Sequence, residues 1–277
     1  SKDVVTKRLR VDFSFSSKLI LLSVVVKSRN DKVLADLPEG KFTVLENGQA
    51  LKIESFYREE VPLDLALMLD ASSSLTGEGI ENLREAATKF VDKLTPADRL
   101  ALYEFKKDAR KLVDFTTDHK AHRKKISEME AGGMTALFDC LFMGLADLEQ
   151  RPRGRKVLIL FTDGRDNAYK ASEKARLVRE AIATAQNKEI VIFTIGLGES
   201  VNRGMLEKMA EETGGLSYFV NDSKKLPKNF ASLILDLRNQ YMLGVTPKAS
   251  GSGFRSLEVD VSKRGARVFC RKGYTVE

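Results

Sequence analysis

Leu63-Asp64-Leu65-Ala66-Leu67-Met68-Leu69-Asp70-Ala71-Ser72-Ser73-Ser74 is the stretch on which the fold turns. A short apolar run ends in a carboxylate and then hydroxyls, the pattern of a buried strand leaving a sheet into a polar loop. A helical pattern follows at 79–94, and the alternation recurs. Apolar runs lie at 99–105, 156–162 and 190–195, with helical patterns at 136–148, 172–187 and 203–212. Strands alternating with helices predict a doubly wound α/β fold of the Rossmann-like kind, a mostly parallel sheet between helical layers. Ligands then bind where loops leave the carboxyl ends of the strands, so the loops after Leu69 and Thr162 matter most. The run 109–115 departs from this pattern, because only Lys106-Lys107-Asp108 separate it from 99–105. That connection is too short for a crossover and predicts an antiparallel edge strand.

Outward from this unit the pattern changes. Segments 18–27, 42–46 and 51–58 read as strands, and Asn47-Gly48 is the strongest two-residue hairpin signal. After the central unit, 224–239 carries Leu226, Phe230, Leu233, Ile234 and Leu237 on one helical stripe. The chain then returns to strands at 240–246, 254–261 and 266–271, the last two joined across Lys263-Arg264-Gly265. Neither flank supplies a stable sheet alone, whereas together they offer six or seven strands, close to a β-sandwich. The expected organisation is an α/β unit at 61–239 inserted between the halves of a β-domain at 1–60 and 240–277.

The 277 residues are 43% apolar and 31% charged with only 19 Gly and 6 Pro, which excludes disordered and collagen-like classes. The longest apolar stretches, 19–26 and 157–161, fall short of the roughly 20 residues a spanning helix needs. Ser1, with neither an initiator Met nor a signal segment, reads as a processed or trimmed N-terminus. Cys140 and Cys270 form no CxxC, and His119 and His122 are the only histidines. Thiolate or multi-His metal sites and His-based catalytic triads therefore lack raw material, and any metal must be held by oxygen. The net charge of +7 divides into +2 for 1–60, +1 for 61–239 and +4 for 240–277, so no nucleic-acid face is expected in the central unit. Arg151-Pro152-Arg153-Gly154-Arg155-Lys156 precedes a strand and has no interleaved aromatics, and it reads as a solvated turn at the far edge of the sheet. The run from Lys120 to Lys125 reads as a solvated helix face, and the two histidines as surface residues. Met205, Met209, Phe90 and Leu94 read as core.

Three features belong at one edge of the predicted sheet. Asp70 is followed by Ser72 and Ser74; Gly132-Gly133-Met134-Thr135 brings a hydroxyl to the start of a helix; and Phe161-Thr162-Asp163-Gly164 ends an apolar strand in a carboxylate. Two carboxylates and three hydroxyls form a hard oxygen set, suited to Mg²⁺ or Mn²⁺ rather than zinc or copper. Asp139 reads as an acid in a first helical turn, where it suits the macrodipole, and Asp166 and Asn167 as polar loop residues.

Asp70-x-Ser72-x-Ser74, Thr135 and Asp163 together resemble the metal-ion-dependent adhesion site (MIDAS) of von Willebrand factor type A (VWA) domains, over about residues 62–222. Phe42-Thr43-Val44-Leu45-Glu46-Asn47-Gly48 and Tyr241-Met242-Leu243-Gly244 look like the flanks of a bacterial VWFA-related family. Met134 stands where many members place Thr directly after the glycines, and Thr135 is assigned in its place. The resemblance implies a divalent cation, Mg²⁺ or else Mn²⁺ or Ca²⁺, held by the hydroxyls of Ser72, Ser74 and Thr135. Asp70 and Asp163 would bind directly or through water, and one position would stay open for a partner protein's Asp or Glu. It also implies an extracytoplasmic, periplasmic or secreted, location. In A domains of the integrin kind, which this arrangement resembles, ligand binding shifts the last helix, here 224–239.

The expected function is a cation-dependent protein-binding or adhesion module without enzymatic activity. A phosphoryl-transfer enzyme using Asp70 is the alternative, because an Asp at the end of a first parallel strand beside Mg²⁺ fits that chemistry too. Such enzymes place a second Asp two positions on, where this chain has Ser72, a poor general acid near neutral pH. No Gly-x4-Gly-Lys-Ser/Thr phosphate loop is present either. A scaffold whose metal site is non-functional is the third reading.

Overall fold

The computed structural model describes residues 19–57, 61–152, 154–164, 169–248 and 251–276. Strand β1 (Ile20–Lys27) alternates between two interiors. Ile20, Leu22, Val24 and Val26 enter the core of the flanking sheets, while Val25 on the opposite face joins the core of the central unit. β2 (Phe42–Glu46) and β3 (Gln49–Leu51) form the hairpin that Asn47-Gly48 predicts. Asn47 and Gly48 have φ of 49° and 77°, the left-handed pair that a type I′ turn requires. The expected single strand 51–58 is instead broken at Lys52. β4 (Ile53–Tyr57) leaves the β2–β3 sheet and pairs in the other one.

The central unit contains β5 (Leu63–Asp70), α1 (Glu78–Val91), β6 (Arg99–Phe105), β7 (Ala109–Thr116), α2 (His119–Ser127), α3 (Leu137–Glu149) and β8 (Arg155–Thr162). It continues through α4 (Ala171–Asn187), β9 (Ile190–Leu197), α5 (Arg203–Thr213), β10 (Ser217–Val220) and α6 (Leu226–Arg238). The six strands take the order β10-β9-β8-β5-β6-β7, all parallel except β7, which forms the expected antiparallel edge. Strand periodicity divides β5 between two layers. Leu63, Leu65, Leu67 and Leu69 meet α1 and α6, and Ala66 and Met68 meet α3, α4 and α5. All six side chains are buried, which at roughly 1.5–3 kcal/mol for each large one makes β5 a principal anchor of the unit.

The remaining strands are β11 (Tyr241–Val245), β12 (Gly253–Val261), β13 (Arg267–Phe269) and β14 (Gly273–Val276). With the N-terminal strands they make two four-stranded antiparallel sheets, β13-β1-β11-β4 and β14-β12-β2-β3, one strand more than the upper expectation. β12 and β13, expected in sequence across Lys263-Arg264-Gly265, lie in different sheets. The two sheets share a core that includes Leu22, Val44, Tyr241 and Leu257.

These sheets dock at the edge of the central sheet where its parallel strands begin. Leu21 N donates to Glu189 Oε1 just before β9, and Lys27 Nζ donates to Asp236 Oδ2 near the end of α6 at 2.6 Å. This docking corrects the reading of the Arg151–Lys156 run as solvated. Arg155 and Lys156 are buried, and Arg155 donates to the carbonyls of Val61 and Leu237 and to Gln240. Arg153 lies outside the described residues. His122 is also buried rather than a surface residue, because its ring nitrogens reach the carbonyls of Leu100 and Asp118 at 2.6 and 3.0 Å. Burial holds its imidazole below the usual histidine range.

Candidate metal centre

β5 and β8 are neighbours although most of a hundred residues separate them, and between them the strand order reverses direction. From β5 the chain first adds β6 and β7 on one side and then crosses back to β8 on the other. Such a switch point opens a crevice at the carboxyl ends of the two strands. Asp70 is the last residue of β5, and Asp163 follows the last residue of β8.

Four of the five candidate residues form one hydrogen-bonded group. Ser74 Oγ donates to Asp163 Oδ1 at 2.9 Å and Ser72 Oγ to the same oxygen at 3.3 Å, while the two serine hydroxyls are 3.0 Å apart. Asp70 joins through Ser72, whose backbone N–H donates to Asp70 Oδ1 at 2.9 Å. The fifth, Thr135, sits beside the group. Its Oγ1 lies 3.6 Å from where a Cβ on Gly164 would stand. The backbone sets this placement. Gly132 N donates to Ala71 O, Ser73 N to Gly133 O and Ala136 N to Lys106 O, so the glycine loop is laced to both the β5 loop and the β6–β7 hairpin. Gly133 has φ of 79°, and a Cβ there would meet Lys107 N at 3.1 Å, so a side chain is doubly disfavoured.

One contributor escaped the sequence reading. Thr162 Oγ1 donates to Asp70 Oδ2 at 2.6 Å and so fixes the second carboxylate oxygen. Its signal was a Thr, rather than another apolar residue, closing an apolar strand. Asp139 does lie in the first turn of α3, and it accepts a hydrogen bond from Tyr169 Oη at 2.6 Å. Asp166 and Asn167 lie outside the described residues.

Asp70 is fully buried, and burial together with the nearby charge of Asp163 pushes its carboxyl up to about 6, against the hydrogen bonds from Thr162 and Ser72. Burial raises Asp163 as well. Among the described residues neither carboxylate has a Lys, Arg or His partner. Among them, too, no three His, Cys, Asp or Glu side chains converge, so the donor set is two carboxylates and three hydroxyls. Two partly desolvated carboxylates facing hydroxyl oxygens, without a protein cation, fit a hard divalent ion.

A doubly wound α/β unit with an oxygen-lined crevice at its switch point defines a class of ligand-binding fold. Residues 64–232 match the von Willebrand factor type A domain, and the chain belongs to that family. It is similar to an uncharacterized protein of Synechocystis sp., 26% identical over 223 residues, which cover 74% of this chain and 52% of the relative. The chain thus spans about half of that relative's length. Among solved structures it is similar to a von Willebrand factor type A protein from Catenulispora acidiphila. That likeness has a TM-score of 0.58 and 13% identity and covers 95% of this chain and 74% of the other. It is also similar to proximal thread matrix protein 1 from the mussel byssus, solved with a zinc-occupied MIDAS motif. Here the TM-score is 0.54 and the identity 22%, over 68% of this chain and 48% of the other. At these identities the structural likenesses establish the fold alone.

Proposed function

We propose that this chain is a divalent-cation-dependent protein-interaction module in which Asp70, Ser72, Ser74, Thr135 and Asp163 hold Mg²⁺, or Mn²⁺ or Ca²⁺, as a MIDAS. VWA domains are generally protein-interaction modules. The observation that carries the finer reading is the pair of desolvated carboxylates that has no cationic partner among the described residues at the switch point. When bound, the cation supplies a Lewis-acidic position for an Asp or Glu of a partner protein. The chain's own residues prepare that position: Thr162 and Ser72 N orient Asp70, and Ser72 and Ser74 hold Asp163.

The same contacts argue against phosphoryl transfer. Asp70 is fully buried with both oxygens already bonded, a poor disposition for a nucleophile, and Ser72 stands where a general acid is needed. The module acts by binding rather than catalysis. Its place is extracytoplasmic, a reading that rests on the family resemblance.

With two charged ligands, affinity for Mg²⁺ is weak, at a dissociation constant of roughly 10⁻⁴–10⁻³ M. Calorimetric titration should show saturable heat with the wild-type chain and none with Asp163→Ala. Unchanged binding in that variant would place the metal elsewhere.

A further inference from the structure

α4 and α5 lie side by side on one face of the sheet, and both begin at the edge that carries the candidate metal loops, since they follow the carboxyl ends of β8 and β9. Their first turns do not close on each other. Ala171 and Ala175 on α4 and Gly204 on α5 are too small to fill the space, and a cleft of about 360 Å³ remains. Buried Val178 and half-buried Met205 form its apolar floor.

Among the described residues every charged one lining this cleft is a cation: Lys174 and Arg179 from α4 and Lys208 from α5. The acidic residues of the same helices lie on other faces. On α4, Arg176 pairs with Glu180 at 2.9 Å and Glu173 accepts from the Lys170 backbone N–H. On α5, Glu207 and Glu211 line a different cavity on the β10 side, and Arg203 stacks on Phe219. Arg179 and Lys208 are exposed and form no ion pair among the described residues. Charge is therefore sorted across these helices, with Arg179 and Lys208 standing over an apolar slot.

We infer that the α4–α5 cleft is a docking groove for an acidic, extended peptide segment of a protein partner. Carboxylates of that segment pair with Arg179 and Lys208, and its small apolar side chains sit between Ala175 and Met205. The inference rests on the carboxylate-accepting edge proposed above, which it extends sideways. A partner that presents one carboxylate to the metal carries further acidic residues onto the neighbouring helices. The groove favours a peptide over a nucleic acid, since none of its described lining residues is an aromatic on which a base could stack.

The test uses the full chain and a short fluorescent peptide alternating Glu and Ala, followed by anisotropy with Mg²⁺ and with EDTA. A Gln-for-Glu peptide serves as the neutral control. Arg179→Glu with Lys208→Glu should weaken binding about tenfold in both conditions, two exposed ion pairs turned to repulsion. Arg176→Glu, on another face, should leave it unchanged, and Asp163→Ala should remove only the Mg²⁺-dependent part. Binding that is lost in Asp163→Ala but indifferent to the double reversal would overturn the groove and leave the metal reading standing. Reversal-sensitive binding with no response to Mg²⁺ would do the opposite. The groove is also overturned by no measurable binding of the acidic peptide, or by a single-stranded oligonucleotide binding as tightly with the same loss on reversal.

Discussion

The two edges of the central sheet treat buried charge in opposite ways. Where the parallel strands begin, several buried ions are paired, Lys27 with Asp236, Arg238 with Asp98 and Arg271 with Glu189, and backbone carbonyls take donors of Arg155 and further donors of Arg271. Where the strands end, Asp70 and Asp163 are held, among the described residues, by hydroxyls and N–H groups alone. The first edge joins the flanking sheets to the central unit through the Lys27 and Arg271 pairs. The second carries the proposed metal site. A buried charge without an opposite partner is a cost to folding, and the proposed cation would offset it at this edge.

That contrast has a sharp consequence for stability. Asp236→Ala should destabilise the metal-free protein by about 3–5 kcal/mol in urea unfolding, because it strands Lys27 inside the junction and removes the acceptor of the Tyr218 hydroxyl. Asp70→Asn at the other edge should do the reverse and stabilise the metal-free protein by about 1–3 kcal/mol at pH 7. A loss in that variant would erase the distinction between the edges.

The same carboxyl gives a smaller effect of pH. Its folded value of about 6 lies above its unfolded value near 4, so the folded state holds the proton more tightly. Its contribution to metal-free stability is therefore fully present below pH 4, declines as pH rises towards 6 and is gone above that. Midpoints measured against Asp70→Asn across this window should converge on acidification. Divergence would mean that Asp70 is not held protonated by burial.

The smallest expected effect links the edges. α6 buries Leu226, Phe230, Leu233 and Leu237, and two residues past its end β11 begins, so an axial shift of the helix reaches the flanking sheets. An acidic ligand with Mg²⁺ should slow amide exchange across 224–246 as well as in the loops around Asp70, Thr135 and Asp163, and Thr135→Ala should abolish both changes. Protection confined to the loops would leave α6 a fixed strut.

Much of the fold was legible because local pattern and tertiary role agree. The β5 run, the stripe on α6 and the Asn47-Gly48 turn each state their role within a few residues. What escaped depends on distant partners. β10 is four residues long and is a strand only because β9 lies beside it. Segment 51–58 splits because its halves find partners in different sheets, β2 for one and β11 for the other. The burial of Arg155 and His122 follows from carbonyls that other segments bring to them, which no charge count reveals. At the candidate site, residue types and strand ends placed Asp70, Ser72, Ser74, Thr135 and Asp163 at one edge. The locking role of Thr162 needed the register of β5 against β8.

The interleaving of the flanking strands also dictates a schedule. β1 lies between β11 and β13, with Val24 opposite Tyr241 and Val26 opposite Val268, so both its neighbours are made after the whole central unit. Closing that contact across an unfolded chain would span nearly the whole sequence, whereas a folded central unit brings the two ends together and shortens the effective loop. The α/β insert is thus the template on which the flanks assemble, and until β11, β12 and β13 have been made β1 and β2 are apolar edges awaiting partners, the stage at which a nascent chain depends most on a chaperone.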